Sequence, residues 1–197
     1  MKRIMVLVLA LSLSLFATVS KEHIASVGEQ KIQEIFTLLR TQNALDKKEL
    51  SLKIFEIFDP LFDFELMARL SLGAPQWRTL SSKEQQEFVH HFTARLKRSL
   101  LEKLELYTDE VAFIKEAKET QIGTSTRVFL LTELVGKEAS YAIDYKFYDA
   151  KERGWLIYDV DIIGVSLVQT YRSQFEGFLK DRPFSALTAW LQEDSKP

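Results

Sequence analysis

The chain of 197 residues carries 46% hydrophobic and 27% charged side chains, enough to bury one sizeable core and too little for two ordinary domains. Its formal charge of −2 excludes an electrostatic footprint for nucleic acid or an anionic membrane surface, and the absence of cysteine excludes disulfides, thiolate chemistry and a lipidated N-terminal Cys. Fourteen Phe, six Tyr and three Trp require either a densely packed aromatic core or a lined cavity.

Lys2 and Arg3 precede an apolar run from Ile4 to Phe16, broken only by Ser12 and Ser14 and followed by small residues. This is the pattern of a cleavable signal peptide, and the run is shorter than the roughly 20 residues that span a bilayer. Thr18-Val19-Ser20 offers small residues to signal peptidase. Residues 1–20 are therefore expected to be removed, Lys21 to begin a single mature domain over 21–197, and the secreted product to be free rather than tethered. Loss of Lys2 and Arg3 takes the formal charge to about −4.

Ile24, Val27, Ile32, Ile35, Leu38 and Leu39 recur at helical spacing and predict an amphipathic helix. A second is expected from Asp46, with Glu49 at capping-box separation and a stripe of Leu50, Ile54, Ile57 and Phe58, ending where Pro60 forces Asp59 out of helical geometry. Phe62-Asp63-Phe64 leads into a short helix through Met67 and Leu70, expected to stop near Gly73 and Pro75. Ser81 and Ser82, each followed three residues on by Glu84 or Gln85, open the longest predicted helix, which runs to about Tyr107 with Phe88, Phe92, Leu96, Leu100 and Leu104 on one face.

Beyond Asp109 the period becomes alternating, and four strands are predicted over 110–119, 125–135, 140–149 and 154–163. Their short links favour an antiparallel meander, since parallel neighbours need crossovers of a dozen residues or more. In the third strand Tyr141, Ile143, Tyr145 and Phe147 share a face. Helices must cover that face, and a curved sheet with a cover standing off it leaves an apolar cavity. Two helices close the chain, one carrying Val168, Tyr171, Phe175 and Phe178, the other starting at Pro183 with Phe184, Leu187 and Leu191. The predicted class is α+β, with helices wrapped around a curved four-stranded antiparallel sheet.

Catalytic machinery is hard to find. None of the seven glycines forms GxSxG, GxGxxG or a phosphate loop. His90 and His91 are helix neighbours about 100° apart and do not converge on a metal as an i, i+4 pair would. Asp159 and Asp161, at i, i+2 in a strand, put two carboxylates on one face. A raised-pKa acid in a pocket would suit an isomerase or dehydratase, but no partner donor or nucleophile is evident, so a hydrogen-bonded strand end is the plainer reading.

Two stretches carry a resemblance. Phe62-Asp63-Phe64-Glu65-Leu66-Met67-Ala68-Arg69 with Leu72-Gly73, Trp77 and the Ser81-started helix, and Tyr158-Asp159-Val160-Asp161-Ile162-Ile163-Gly164-Val165-Ser166-Leu167-Val168 continuing to Tyr171-Arg172 and Gln174-Phe175, resemble the MlaC, or toluene-tolerance, family. The resemblance implies an NTF2-like, cone-shaped sheet wrapped by helices around an apolar cavity. It further implies a monomeric periplasmic phospholipid carrier without cofactor, metal or enzymatic activity. Such a carrier shuttles a diacyl lipid between an outer-membrane lipoprotein complex and an inner-membrane ring complex of an ABC-type transporter.

If helices cover one side of the sheet, the lipid-tail wall is expected to draw on Phe64, Met67, Phe88, Phe92, Val128, Leu130, Ile143 and Tyr145. Tyr171 and Arg172 belong to the strand-to-helix junction at Gly164–Phe175, the expected lipid entry. There Arg172 offers its donors either to a headgroup phosphate or to a carboxylate of Asp159 or Asp161.

Overall fold

The computed structural model describes residues 21–40, 47–104 and 110–193. The expected signal peptide, the Asp46 cap and the helix end near Tyr107 lie outside the described residues. Seven α-helices occur among them: α1 (Lys21–Arg40), α2 (Lys47–Phe58), α3 (Phe64–Leu72), α4 (Ala74–Thr79), α5 (Ser82–Leu104), α6 (Leu167–Phe178) and α7 (Phe184–Gln192). One open antiparallel sheet holds β1 (Val111–Ile122), β2 (Ser125–Val135), β3 (Ser140–Asp149), β4 (Trp155–Ile162) and β5 (Val165–Ser166), in that order.

Local chemistry accounts for most boundaries. Pro60 ends α2 at Phe58 and the chain continues as a 3-10 turn over Asp59–Leu61. The Ser81 capping box closes reciprocally, Glu84 N donating to Ser81 Oγ at 3.3 Å and Ser81 N donating to Glu84 Oε2 at 2.8 Å. Ser166 caps α6, accepting from Gln169 N at 3.0 Å. Gly73 and Pro75 do more than stop α3: Gly73, at φ 83°, closes that helix and opens α4, where Pro75 sits in a first turn that needs no proline N–H.

The expected four-stranded sheet has a fifth strand. Ile163 and Gly164 both take positive φ, 52° and 74°, the backbone of a two-residue hairpin whose twist matches antiparallel strands. The chain therefore folds back, pairing Asp161 with Ser166 and Ile162 with Val165, before α6 begins. The sequence expectation of a turn at Gly164 leading directly into the helix missed this reversal, because a two-residue strand has no periodicity to read.

Buried side chains fall into separate clusters. One is helical, with Met67, Ala68, Leu72, Phe88, Phe92, Val168, Tyr171, Phe175, Leu187 and Leu191 from α3, α5, α6 and α7. A second lies on the sheet, where Val128, Leu130, Phe147, Ile157 and Val160 meet Ile24 of α1. A third joins Ile35 and Leu39 of α1 to Ile54 of α2. Phe62 packs against both the helical and the sheet clusters.

Two buried carboxylates fasten the helical layer to the sheet. Asp63 caps α3 through Leu66 N at 2.9 Å, accepts from Arg153 Nη2 at 2.6 Å and from the Tyr148 hydroxyl, and its own N–H donates to Ile157 O at 2.9 Å. Burial pushes the Asp63 carboxyl up, but the Tyr148, Leu66 and Arg153 donors outweigh it and hold it below the usual range. Asp159 accepts from Val160 N at 2.9 Å, Val168 N at 3.1 Å, Ser166 Oγ at 2.7 Å and Lys146 Nζ at 2.9 Å, so it pins the first turn of α6 to β4 with favourable charge for a helix N-terminus.

Arg172 does not take part in this clasp. Its Nε donates to Glu176 Oε1 at 2.9 Å, one turn along α6, and its guanidinium lies beside Gly73, 3.8 Å from where a Cβ would stand. The carboxylates expected to hold Arg172, Asp159 and Asp161, are instead engaged by Lys146, whose Nζ lies 2.9 Å from Asp159 and 2.6 Å from Asp161. Lys146 has the advantage of register: it stands directly opposite Asp159 on the neighbouring strand.

These contacts rank the residues by stability. Asp159→Ala leaves several buried donors unmet and is expected to cost about 3 kcal/mol, whereas Arg172→Ala removes a solvent-exposed i, i+4 pair and is expected to cost under about 1 kcal/mol; urea denaturation at pH 7 checks both. Asp63→Asn is expected to cost about 2–3 kcal/mol at pH 7. Because the folded pKa of Asp63 lies below its unfolded value of about 3.9, its contribution is complete above that value and is lost as pH falls through the folded pKa. The gap between wild type and Asp63→Asn should therefore narrow when the titration is repeated towards pH 3.

Candidate functional site

The register of the sheet assembles one continuous apolar face. On β2 it carries Val128, Leu130, Thr132 and Leu134, and opposite them on β3 stand Phe147, Tyr145, Ile143 and Tyr141. On β4 the same face continues with Ile157, Val160 and Ile162, and on β1 with Ala117 and Ile114. Thr132, the polar member, is buried and donates its hydroxyl to Ile143 O at 2.5 Å, so it presents a methyl group to the face and no unmet polar atom. Burial raises the Tyr145 hydroxyl to about 12, as expected for a phenol enclosed by apolar neighbours.

Cover is uneven along this face. Val128 and Leu130 are each 1% exposed, beneath α1, while at the other end Tyr141, Ile162 and Val165 are 44%, 47% and 60% exposed. Ile163, 62% exposed at the tip of the β4–β5 hairpin, extends that open apolar end. A β-branched residue at positive φ is strained, where Asn or Gly would sit without cost.

The opposite face mixes the apolar Phe129 and Leu131 of β2 with a polar group on β3 and β4. Asp144, Lys146, Asp159 and Asp161 alternate with the apolar rows and pair across β3 and β4. Burial, then the neighbouring Asp161, raises the Asp144 carboxyl. Asp159 is fully engaged by its donors and Asp161 is held by Lys146, so the carboxylate pair that the sequence offers as a catalytic candidate is an element of the clasp. Among the described residues no group of His, Cys, Asp or Glu is placed to hold a metal ion.

The ten residues expected at a lipid site do not share one surface. Val128, Leu130, Ile143 and Tyr145 lie together on the apolar face. Met67, Phe88, Phe92 and Tyr171 are buried in the helical cluster, where the Phe92 and Tyr171 rings meet edge to face with centroids 5.2 Å apart. Phe64 stacks on Phe62 at 5.5 Å and borders the helical cluster, and Arg172 stands on the solvent side of α6 with Glu176. An apolar helical stripe reads the same whether it faces a sheet or another helix, so spacing alone could not separate the two groups. Exposed apolar residues at the hairpin tip were missed, although Ile162-Ile163-Gly164-Val165 was a signal: β-branched residues flank a turn glycine.

An apolar cavity was expected between the sheet and its cover. Over Val128 and Leu130 that space is filled by α1, through Ile24, Ala25 and the backbone at Gly28. Open surface grooves lie elsewhere among the described residues. One of about 490 Å³ is bounded by Gln30, Gln33, Glu34, Thr37, Leu38 and Ile57 of α1 and α2, and one of about 570 Å³ lies beside Arg95, Phe175, Phe178 and Trp190. No helix among the described residues is long and apolar enough to cross a membrane.

Comparison with solved structures finds the same fold in the phospholipid-binding protein from Ralstonia solanacearum, determined in complex with a phospholipid at 1.53 Å resolution. The two superpose with a TM-score of 0.72 at 18% sequence identity, over 85% of this chain and 93% of that one. No curated protein sequence matches the chain. The family described as MlaC protein matches residues 29–193, a span that holds both stretches on which the resemblance rests and every element from α2 to α7. The chain belongs to the MlaC family.

Proposed function

We propose that this protein is a periplasmic phospholipid carrier that holds acyl chains against the apolar face of its sheet and performs no chemistry on them. The observation that supports this most is the apolar face of β2, β3 and β4, closed at Val128 and Leu130 and open at Tyr141, Ile162 and Val165, in a member of the MlaC family. Val128, Leu130, Ile143 and Tyr145 are the residues we assign to the acyl chains.

The energetics suit carriage. Two acyl chains expose on the order of 30 methylenes, and at about 0.8 kcal/mol each their hydration costs roughly 25 kcal/mol. An apolar face cancels most of that, so exchange with a membrane or a partner is close to thermoneutral. The headgroup stays in water beyond the Tyr141–Ile162 end, since burying an unpaired phosphate is far more costly than leaving it hydrated. Headgroup chemistry therefore contributes little to selection. In this reading the mature chain is a monomer that passes lipid between an outer-membrane lipoprotein complex and the inner-membrane ring complex of an ABC-type transporter.

Native mass spectrometry of protein purified from a bacterial host is expected to show one diacyl phospholipid per chain, and lipid extraction to identify its acyl chains. Protein that carries no phospholipid and takes none from vesicles overturns the carrier. Ile143→Trp, which fills the half-buried middle of the face, is expected to lower occupancy at least several-fold while circular dichroism remains native; undiminished occupancy moves the acyl chains off the sheet. Ile163→Asn relieves a strained turn and is expected to raise stability by about 1 kcal/mol while slowing lipid uptake, a combination read by urea denaturation and by transfer from fluorescent vesicles.

A further inference from the structure

The helix α1 has two halves with different attachments. Its C-terminal half is anchored by Ile35 and Leu39, buried against Ile54 of α2. Its N-terminal half touches the sheet cluster through Ile24 and Ala25, and through the bare backbone of Gly28. The family match begins at residue 29, so these three contact residues stand just outside it.

At Gly28 the approach is unusually close. A Cβ at this position would stand 2.5 Å from Leu130 Cδ2 and 3.9 Å from Leu130 Cγ, so the helix backbone rests directly on the side chain at the centre of the apolar face. A methylene chain between two walls needs about 3.5–4 Å of carbon–carbon separation on each side. No such layer exists between α1 and Leu130. The N-terminal half of α1 and an acyl chain lying over Leu130 claim the same volume.

We infer that the N-terminal half of α1 is a displaceable cover of the acyl-chain surface, so that docking of Ile24, Ala25 and Gly28 on the sheet and loading of lipid over Leu130 are mutually exclusive. The inference rests on the carrier function proposed above and adds how access to that surface is controlled. Its asymmetry makes the exchange feasible: one isoleucine and two small residues leave the face, and on the order of 30 methylenes replace them. The anchored half keeps its own buried contacts on α2 throughout. Gly28 lies where the two halves meet, and glycine is the residue that most weakens a helix interior short of proline, so the bend has a place to occur.

The absence of cysteine from the chain allows two spin labels to be placed without background, at Ser26→Cys on the exposed side of α1 and Lys118→Cys on β1. The distance between them is measured by pulsed electron resonance in delipidated protein. It is measured again after incubation with phosphatidylethanolamine–phosphatidylglycerol vesicles and re-isolation, with bound lipid quantified by mass spectrometry. Lipid-loaded protein is expected to show the distance longer by about 4 Å or more, the thickness of one methylene chain. Loaded protein with an unchanged distance overturns the cover and leaves the carrier standing, whereas protein that takes up no lipid overturns the carrier and the cover with it.

Discussion

Val128, Leu130, Tyr145, Phe147 and Val160 place a contiguous apolar surface on the middle of the sheet, and leaving it in water costs about 1.5–3 kcal/mol for each large side chain. Something apolar must lie on it. The helical cluster does not supply that cover: its members from α3, α5, α6 and α7 pack on one another, and only Phe62 is shared between it and the sheet cluster. The face is covered by α1 over β1 and β2 and by Leu61 and Phe62 beside Ile157, and only over part of its length. That separation of cover from core lets the surface of the sheet change partner without disturbing the packing that holds the helices together.

Independence of this kind needs the helical layer to be fastened to the sheet by something other than the apolar face. Asp63 and Asp159 do this. Asp63 ties the start of α3 to Tyr148 and Arg153 around the β3–β4 hairpin, and Asp159 ties the start of α6 to β4 and, through Lys146, to β3. Both carboxylates are buried and both accept from a helix N-terminus, so each is costly to break and directional. Asp159, already accepting from two backbone N–H groups, a hydroxyl and an ammonium, has no lone pair placed for a substrate proton.

Much of this was legible from local sequence and some of it was not. Pro60, the Ser81–Glu84 box and Ser166 act within three or four residues of themselves, and each set the boundary that its chemistry predicts. Short links gave the meander for the same reason. The Asp63 clasp spans 85 and 90 residues to Tyr148 and Arg153, and no spacing rule reaches that far. Arg172 shows the opposite error: a guanidinium near two acids in sequence suggested a pair, but strand register delivered Lys146 to them first. Of the expected wall, the strand residues Val128, Leu130, Ile143 and Tyr145 came together because period-two alternation fixes a face, while the helical residues Met67, Phe88, Phe92 and Tyr171 went to a different core.

A carrier faces a difficulty that a storage protein does not, because a surface that binds roughly 25 kcal/mol worth of acyl chain must also survive their departure. If the vacated face met water, most of that free energy would reappear as a barrier to release. A cover drawn from the chain itself reduces the difference between the loaded and unloaded protein. The contacts of α1 suit such a cover: Ile35 and Leu39 keep one half of the helix on α2, while the half on the sheet buries one large side chain, Ile24, beside Ala25 and Gly28. Replacing Gly28 with a larger residue would hold the helix off Leu130 and leave part of the face wet. On the proposed carrier function, lipid would then gain in affinity over its own competitor and lose in ease of release, which makes the small residue a compromise between holding and handing over.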